Sequence, residues 1–192
     1  DNFIVNTSKN NVALVTGASD GIGAEFVEIL AGRGYDLILV ARREEKLNEI
    51  AVRLSDEFGV ECTVMAADLS EPKAAQNLFQ RIEDRGLQVN FLINNAGLLH
   101  NGFFTKLSLE AQEKMIQVNV LALTALTHLY AAKMSSNGGG HILNVASLAG
   151  WMAIPNQNVY AASKAYVVSF SQALSNEMIA ANSGVQVTAL CP

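Results

Sequence analysis

Ser147, Tyr160 and Lys164 fall in one short run, Ser147-Leu-Ala-Gly-Trp-Met-Ala-Ile-Pro-Asn-Gln-Asn-Val-Tyr160-Ala-Ala-Ser-Lys164, which carries a hydroxyl, a phenol and an ammonium. The segment around Tyr160 reads as helix, so residues four apart share a face about one turn apart. A phenol beside an ammonium is a tunable proton donor. Free tyrosine titrates near ~10, and a tenfold change in its ionisation equilibrium corresponds to roughly 1.36 kcal/mol. A unit charge about 4 Å away is worth about 1 kcal/mol in bulk water and about 4 kcal/mol at an effective dielectric of about 20. In a sheltered cleft, Lys164 could therefore bring the Tyr160 phenol down towards ~7, the range where acid–base catalysis works best. On the open face of a surface helix the same pair is an accident of spacing. The rest of the chain has to decide between the two.

The elements that would position these residues are legible. Short apolar runs at 12–15, 37–40, 60–66, 91–93, 141–145 and 185–190 read as strands buried on both faces. Between the second and third, Leu47, Ile50, Ala51, Leu54 and Phe58 repeat at helical spacing and Gly59 supplies a stop. The longest helical patterns cover 109–133 and 159–181. Six strands joined by five crossovers imply an α/β fold: a doubly wound parallel sheet of order 3-2-1-4-5-6 with helices on both faces. Ligands then belong at the carboxyl ends of the strands, where the order reverses. The glycine-rich run from Ser135 to Gly140 reads as a loop entering the fifth strand, since no helix follows it.

Composition narrows the class. The 192 residues suit one domain with a sizeable core, and half apolar with 16% charged excludes disorder. A net charge of −5 argues against nucleic acid as a partner. No uninterrupted apolar run approaches the ~18 residues of a membrane span. Cys62 and Cys191 have no ligand-spaced neighbours, so neither a disulfide framework nor a metal site is expected. The start, Asp1-Asn-Phe-Ile-Val-Asn, lacks the marks of a secretory signal, and the expectation is a cytoplasmic protein.

Directly after the first strand comes Thr16-Gly17-Ala18-Ser19-Asp20-Gly21-Ile22-Gly23. Its spacing is G-x-x-x-G-x-G, not the common G-x-G-x-x-G, yet it meets the same requirements. One glycine permits a tight turn, a second lets backbone approach a pyrophosphate, and a third lets the helix pack with its amides aimed at the anion. A plain three-glycine turn remains the alternative. About twenty residues on, an NAD site would carry an acid for the ribose hydroxyls. Here stand Ala41-Arg42-Arg43, opening a helix where positive charge opposes the macrodipole and Glu44 and Glu45 relieve it only in part. A 2′-phosphate would suit those forked donors, so NADP is favoured over NAD. Asp20 weighs against this, as a carboxylate near the same phosphates. Asp68-Leu69 after the third strand and Asn94-Asn95-Ala96-Gly97 after the fourth could meet an adenine edge and a ribose, or be ordinary turn chemistry.

Together these residues resemble the classical short-chain dehydrogenases/reductases, along nearly the whole chain: the glycine run to Gly23, Asp68, Asn94-Asn-Ala-Gly97, Asn119, Ser147 and Tyr160-Ala-Ala-Ser-Lys164. The resemblance implies a Rossmann-type fold and hydride transfer between a nicotinamide cofactor and a carbonyl or alcohol. It implies that Tyr160 is the acid–base, Ser147 orients the carbonyl, and Lys164 binds the nicotinamide ribose and lowers the tyrosine pKa. Asn119 would hold a water in the proton relay. Thr16 and Asn94 look more structural than catalytic. The cofactor contacts implied are Gly17, Ser19, Asp20, Gly21, Ile22, Gly23, Arg42, Arg43, Asp68, Leu69, Asn95, Ala96, Gly97, Tyr160, Lys164 and Pro192, with no metal. The chemistry suits the set. Hydride reaching a carbonyl carbon leaves charge on oxygen, and two hydroxyls can bracket that oxygen where the charge develops.

The sequence stops at Cys191-Pro192, where the family runs on through a Pro-Gly turn and substrate loop to a further helix and seventh strand. A single domain over 1–192, shortened at its carboxyl end, is the expectation. It is either an active reductase represented by its first six strands or a dinucleotide binder with poor turnover. A regulatory nucleotide-binding module would not need Ser147, Tyr160 and Lys164 together. Leu98, Leu99, Phe103, Phe104, Trp151, Met152 and Ile154 should border the substrate pocket and suggest an apolar carbonyl compound, although core packing would explain them equally. The resemblance implies a homodimer or homotetramer paired through the two long helices.

Overall fold

The structure, a computed structural model, describes residues 11–192. The reading of residues 1–6 lies outside the described residues. Along the chain come β1 (Val12–Thr16), α1 (Gly21–Ala31), β2 (Asp36–Ala41), α2 (Glu44–Phe58), β3 (Cys62–Ala66) and α3 (Ala74–Glu83). Then follow β4 (Val89–Asn94), α4 (Leu109–Ile116), α5 (Leu123–Ser136), β5 (Gly140–Val145), α6 (Asn158–Ala180) and β6 (Val185–Leu190). All strand pairs are parallel, in the order β3-β2-β1-β4-β5-β6.

Register explains why the strands read as nearly continuous apolar runs. Ile38, Leu14, Leu92, Ile142 and Val187 lie side by side across β2, β1, β4, β5 and β6. They bury into one core with Leu78 and Ile82 of α3 and Leu126, Tyr130 and Met134 of α5. One residue further along, Leu39, Val15, Ile93 and Leu143 line the opposite face. That face meets Val27 and Leu30 of α1 and Leu47 and Leu54 of α2. Successive side chains point to opposite faces, so a strand covered on both sides must be apolar at every position. Each fully buried Leu or Ile contributes roughly 1.5–3 kcal/mol, which fixes the sheet as a platform.

Two expectations are corrected. The third strand begins at Cys62 rather than residue 60, because the Glu61 amide donates to Asp36 Oδ1 at 2.8 Å. The long helix runs to Ser136 and is not regular. Between α4 and α5, Gln117–Ala122 form a π turn, which carries Val118 and Asn119 into the interior. The combined helix Leu109–Ser136 is long and apolar enough to cross a membrane by composition, although it contains no unbroken apolar run of that length. Half of its most apolar window is buried inside the protein, through the α5 face already named.

One polar thread crosses the core. Asn94 Nδ2 donates to Asn144 Oδ1 at 2.9 Å and Thr127 Oγ1 at 3.0 Å, and Asn144 Nδ2 donates to Ser171 Oγ at 3.0 Å. All four residues are buried, tying β4 and β5 to α5 and α6. Asn144→Ala strands these partners without water, and the expected cost is about 3 kcal/mol in urea unfolding. A loss below about 1 kcal/mol would contradict the assignment.

Candidate active site

The sheet order reverses between β1 and β4, and the loops leaving their carboxyl ends are stitched together. Thr16 Oγ1 donates to the Ile93 carbonyl and accepts from the amides of Asn95 and Ala96, the latter two each at 3.0 Å. Asn95 Nδ2 donates back to the carbonyls of Thr16 and Gly17 at 3.0 and 3.2 Å. Gly17 sits at φ +68°, and a Cβ on Gly23 would stand 2.1 Å from the Gly17 carbonyl oxygen. The loop therefore lies directly on the first turn of α1, which closes only with glycine at both places.

This seam floors a cleft of about 260 Å³ lined by Gly17, Ser19, Asp20, Arg42, Arg43, Asp68, Leu69, Asn95, Ala96 and Gly97. All ten are sequence-predicted cofactor residues, and the fold brings them together. Gly21, Ile22 and Gly23 lie just outside, in the first turn of α1, while Tyr160, Lys164 and Pro192 lie towards the β5 and β6 ends. Leu98, expected at the substrate pocket, also lines the cleft, as do Val40, Ala41 and Ala67, whose only signal was their place at strand ends, and Val118 of the π turn, which had none. The anionic member of the glycine loop is accounted for: the Asp20 carboxylate is paired with both Arg43 and Lys46. Among the described residues Arg42 has no salt bridge. It faces Asp68, whose burial works to raise its pKa. The Ser70 amide and hydroxyl, with the charges of Arg42 and Lys114, outweigh that and hold the carboxyl below its usual range.

The chemical triad is carried by β5 and α6. Lys164 is 4% exposed, and its ammonium donates to the Val145 carbonyl at 2.7 Å. The same Nζ lies 5.7 Å from the centre of the Tyr160 ring, so the spacing of four does put both on one face. Burial pushes the lysine pKa down to about 8, with Cys191 acting weakly in the opposite direction. Tyr160 is half-buried. Ser147, just past β5, is also half-buried; its hydroxyl accepts from the Ala149 amide at 3.2 Å and is not bonded to Tyr160. Pro192 reaches the same corner, its carbonyl accepting from the Leu148 amide at 3.0 Å.

Asn119, expected to hold a water in the proton relay, directs its side chain to protein groups. It is 1% exposed. Its Oδ1 accepts from the Leu98 amide at 2.8 Å, and its Nδ2 donates to the Leu98 carbonyl and Ser163 Oγ at 2.9 and 3.1 Å. Both amide protons are engaged, leaving a second Oδ1 lone pair or the backbone carbonyl as acceptors for water. Asn119 Oδ1 and Lys164 Nζ both lie within 3.6 Å of where a Gly97 Cβ would stand, so the cleft, the π turn and α6 meet there.

The flanking apolar residues divide. Leu98 lines the cleft, whereas Trp151, Met152 and Ile154 line a separate hollow of about 600 Å³ with Ala161, Ala162 and Ala165, and neither Ser147 nor Tyr160 lines it. Leu99, Phe103 and Phe104 are exposed.

With this geometry in hand, residues 11–192 match the short chain dehydrogenase family. The chain belongs to that family. An uncharacterised oxidoreductase of Staphylococcus saprophyticus is 34% identical over 184 residues, covering 96% of this chain and 78% of the relative. A short-chain dehydrogenase of Sphingobium yanoikuyae, solved with NADPH, superposes with a TM-score of 0.89 at 38% identity, over 95% of this chain and 70% of that one. The bulky-bulky ketone specific alcohol dehydrogenase of Comamonas testosteroni gives 0.89 at 34%, over 96% and 73%. The chain spans about half the length of other curated relatives, among them very-long-chain 3-oxoacyl-CoA reductases of duck and mouse. Family membership makes this a Rossmann-type oxidoreductase of the NAD(P)-dependent kind that works on alcohol and carbonyl groups.

Two glycines of the site separate folding from binding. Gly23→Ala forces a methyl into backbone, and the expected cost is about 2 kcal/mol or more in urea unfolding. A Gly97 Cβ meets its neighbours at ordinary contact distances of 3.5 Å and beyond. Gly97→Ala should therefore unfold within about 0.5 kcal/mol of the parent while binding NADPH more weakly. Equal destabilisation by both substitutions would contradict this reading.

Proposed function

We propose that the chain is an NADP(H)-dependent reductase of apolar ketones, with Tyr160 as the acid–base. The observation that carries this reading is the dry Lys164 ammonium, fixed by the Val145 carbonyl beside the Tyr160 ring and adjoining the cleft. The residues present fit a dinucleotide. The Gly17–Gly23 seam brings backbone close to a pyrophosphate, the first turn of α1 offers its amides, and Arg42 is the cation left for a 2′-phosphate once Asp20 has taken Arg43. Asp68, Leu69, Asn95, Ala96 and Gly97 would flank the adenosine and ribose, and Tyr160, Lys164 and Pro192 the nicotinamide end. When bound, the nicotinamide supplies the hydride or accepts it.

The side chains then have separate tasks. Ser147 and Tyr160 donate to the carbonyl oxygen of the substrate, fixing it where negative charge develops. Tyr160 gives up its proton to that oxygen, and the Lys164 charge stabilises the phenolate left behind. The proton is restored from solvent through Lys164 and a water held by Asn119. The neighbours' names add to the apolar substrate reading: bulky ketones in one and 3-oxoacyl thioesters in others. Leu99, Phe103 and Phe104 supply exposed apolar area on the cleft side of β4. The free thiols of Cys62 and Cys191 suit the cytoplasm. The Tyr166–Phe170 stack of α6, with Tyr166 bonded to Thr124 of α5, offers an aromatic face for a homodimer or homotetramer.

Fluorescence titration should show tighter binding of NADPH than NADH, and Arg42→Ala should shrink that ratio about tenfold, the value of one charge-assisted contact. Equal affinities in the parent chain would refute the NADP reading. With benzil as the bulky ketone and NADPH oxidation as readout, Tyr160→Phe should lose at least about 100-fold in turnover while holding NADPH within about twofold. Turnover retained in that variant would overturn the mechanism.

A further inference from the structure

Ser163 is buried in the first turns of α6 and has no part in the roles described so far. A serine in a helix interior ordinarily bonds back to its own helix, and Ser163 does so, donating to the Tyr160 carbonyl at 2.7 Å. It also accepts a hydrogen bond from Asn119 Nδ2, across to the π turn, at 3.1 Å. That second bond is what an ordinary helical serine lacks.

The direction of this thread is fixed by its donors. The single hydroxyl proton is committed to the Tyr160 carbonyl, so Ser163 can offer Asn119 only lone pairs. One Asn119 amide proton goes to Ser163 and the other to the Leu98 carbonyl, and Oδ1 must then turn to the Leu98 amide. The amide has one orientation that satisfies every partner. Three segments share the thread: the loop after β4, the π turn and the turn of α6 that carries Tyr160 and Lys164.

We propose that Ser163 is a positioning residue, which ties the Asn119 amide, oriented by Leu98, to the Tyr160 carbonyl and so sets the register of the Tyr160–Lys164 turn against the π turn. Removing the hydroxyl leaves an amide proton without a partner at a site that is 1% exposed; the two Leu98 bonds still hold the amide's orientation, so the π turn and the turn of α6 must part to let water in. That movement disturbs the acceptor and the ammonium that converge on Gly97. The kinetic part of the inference rests on the catalytic reading of Tyr160 and Asn119; the structural link does not.

The test is Ser163→Ala compared with Ser163→Thr, which keeps the hydroxyl. By nitrogen-15 NMR, the Asn119 side-chain amide protons should exchange with solvent at least about tenfold faster in the alanine variant and at the parent rate in the threonine variant. In NADPH-dependent benzil reduction, Ser163→Ala should lower kcat about tenfold with KM within about twofold and raise the solvent deuterium isotope effect. In an Asn119→Ala background, Ser163→Ala should cost no further kcat, since Ser163 acts through that amide. Unchanged amide exchange in Ser163→Ala would overturn the proposal, as would losses that multiply in the double variant. Ser163→Cys, close in size and a weak donor, replaces the alanine variant where that fails to fold. Full benzil turnover in Tyr160→Phe would remove the catalytic reading alone, leaving the exchange measurement to judge Ser163.

Discussion

A charged lysine held almost dry is the constraint on which this structure turns. Ammonium groups are strongly hydrated, and burying one is tolerated only where fixed dipoles replace the water. Here the replacement is a backbone carbonyl at the carboxyl end of β5, which only the sheet can hold still. The sheet in turn depends on the two apolar layers that alternate along β1, β2, β4 and β5. The cost of the buried charge shows in the lysine itself, whose proton is held less tightly than in water. An apolar side chain would fill a purely structural role without that cost, so the position is best understood through the phenol it faces.

The other polar groups of the site are committed in the same way. Thr16, Asn95 and Asn119 direct their side chains to backbone groups of neighbouring loops. What remains for a ligand is main chain brought close by small residues, a few donors at α1, and Arg42. Asp20, which by type should repel a phosphate, is engaged by Arg43 and Lys46. In the proposed reading, preference for NADP rests on Arg42 rather than on the net charge of the loop.

Much of this was legible in the sequence. Strand order, crossover layers and the convergence of the glycine loop, Arg42 and Asp68 follow from apolar runs and turn residues, because a sheet buried on both faces leaves a strong pattern. The shared face of Tyr160 and Lys164 follows from helix geometry. Four things were not legible. The π turn around Asn119 arises from packing, and no local residue announces it. The pairing of Asp20 with Arg43 and Lys46 joins the start of α1 to the start of α2 and depends on how the two helices enter the fold. The hollow lined by Trp151, Met152 and Ile154 shows why apolar residues beside a candidate catalytic serine do not by themselves report a substrate wall. Ser163 lay in plain sight inside the Tyr-Ala-Ala-Ser-Lys run, but its second bond needs the third dimension.

Everything proposed for Tyr160 depends on the Lys164 ammonium being desolvated within the folded chain. Its titration can be followed directly at Nζ by NMR with nitrogen-15 lysine, assigned by comparison with Lys164→Met. The expected midpoint is about 8. A midpoint near the ordinary lysine value of ~10.4 would place the ammonium in water and contradict the desolvated site.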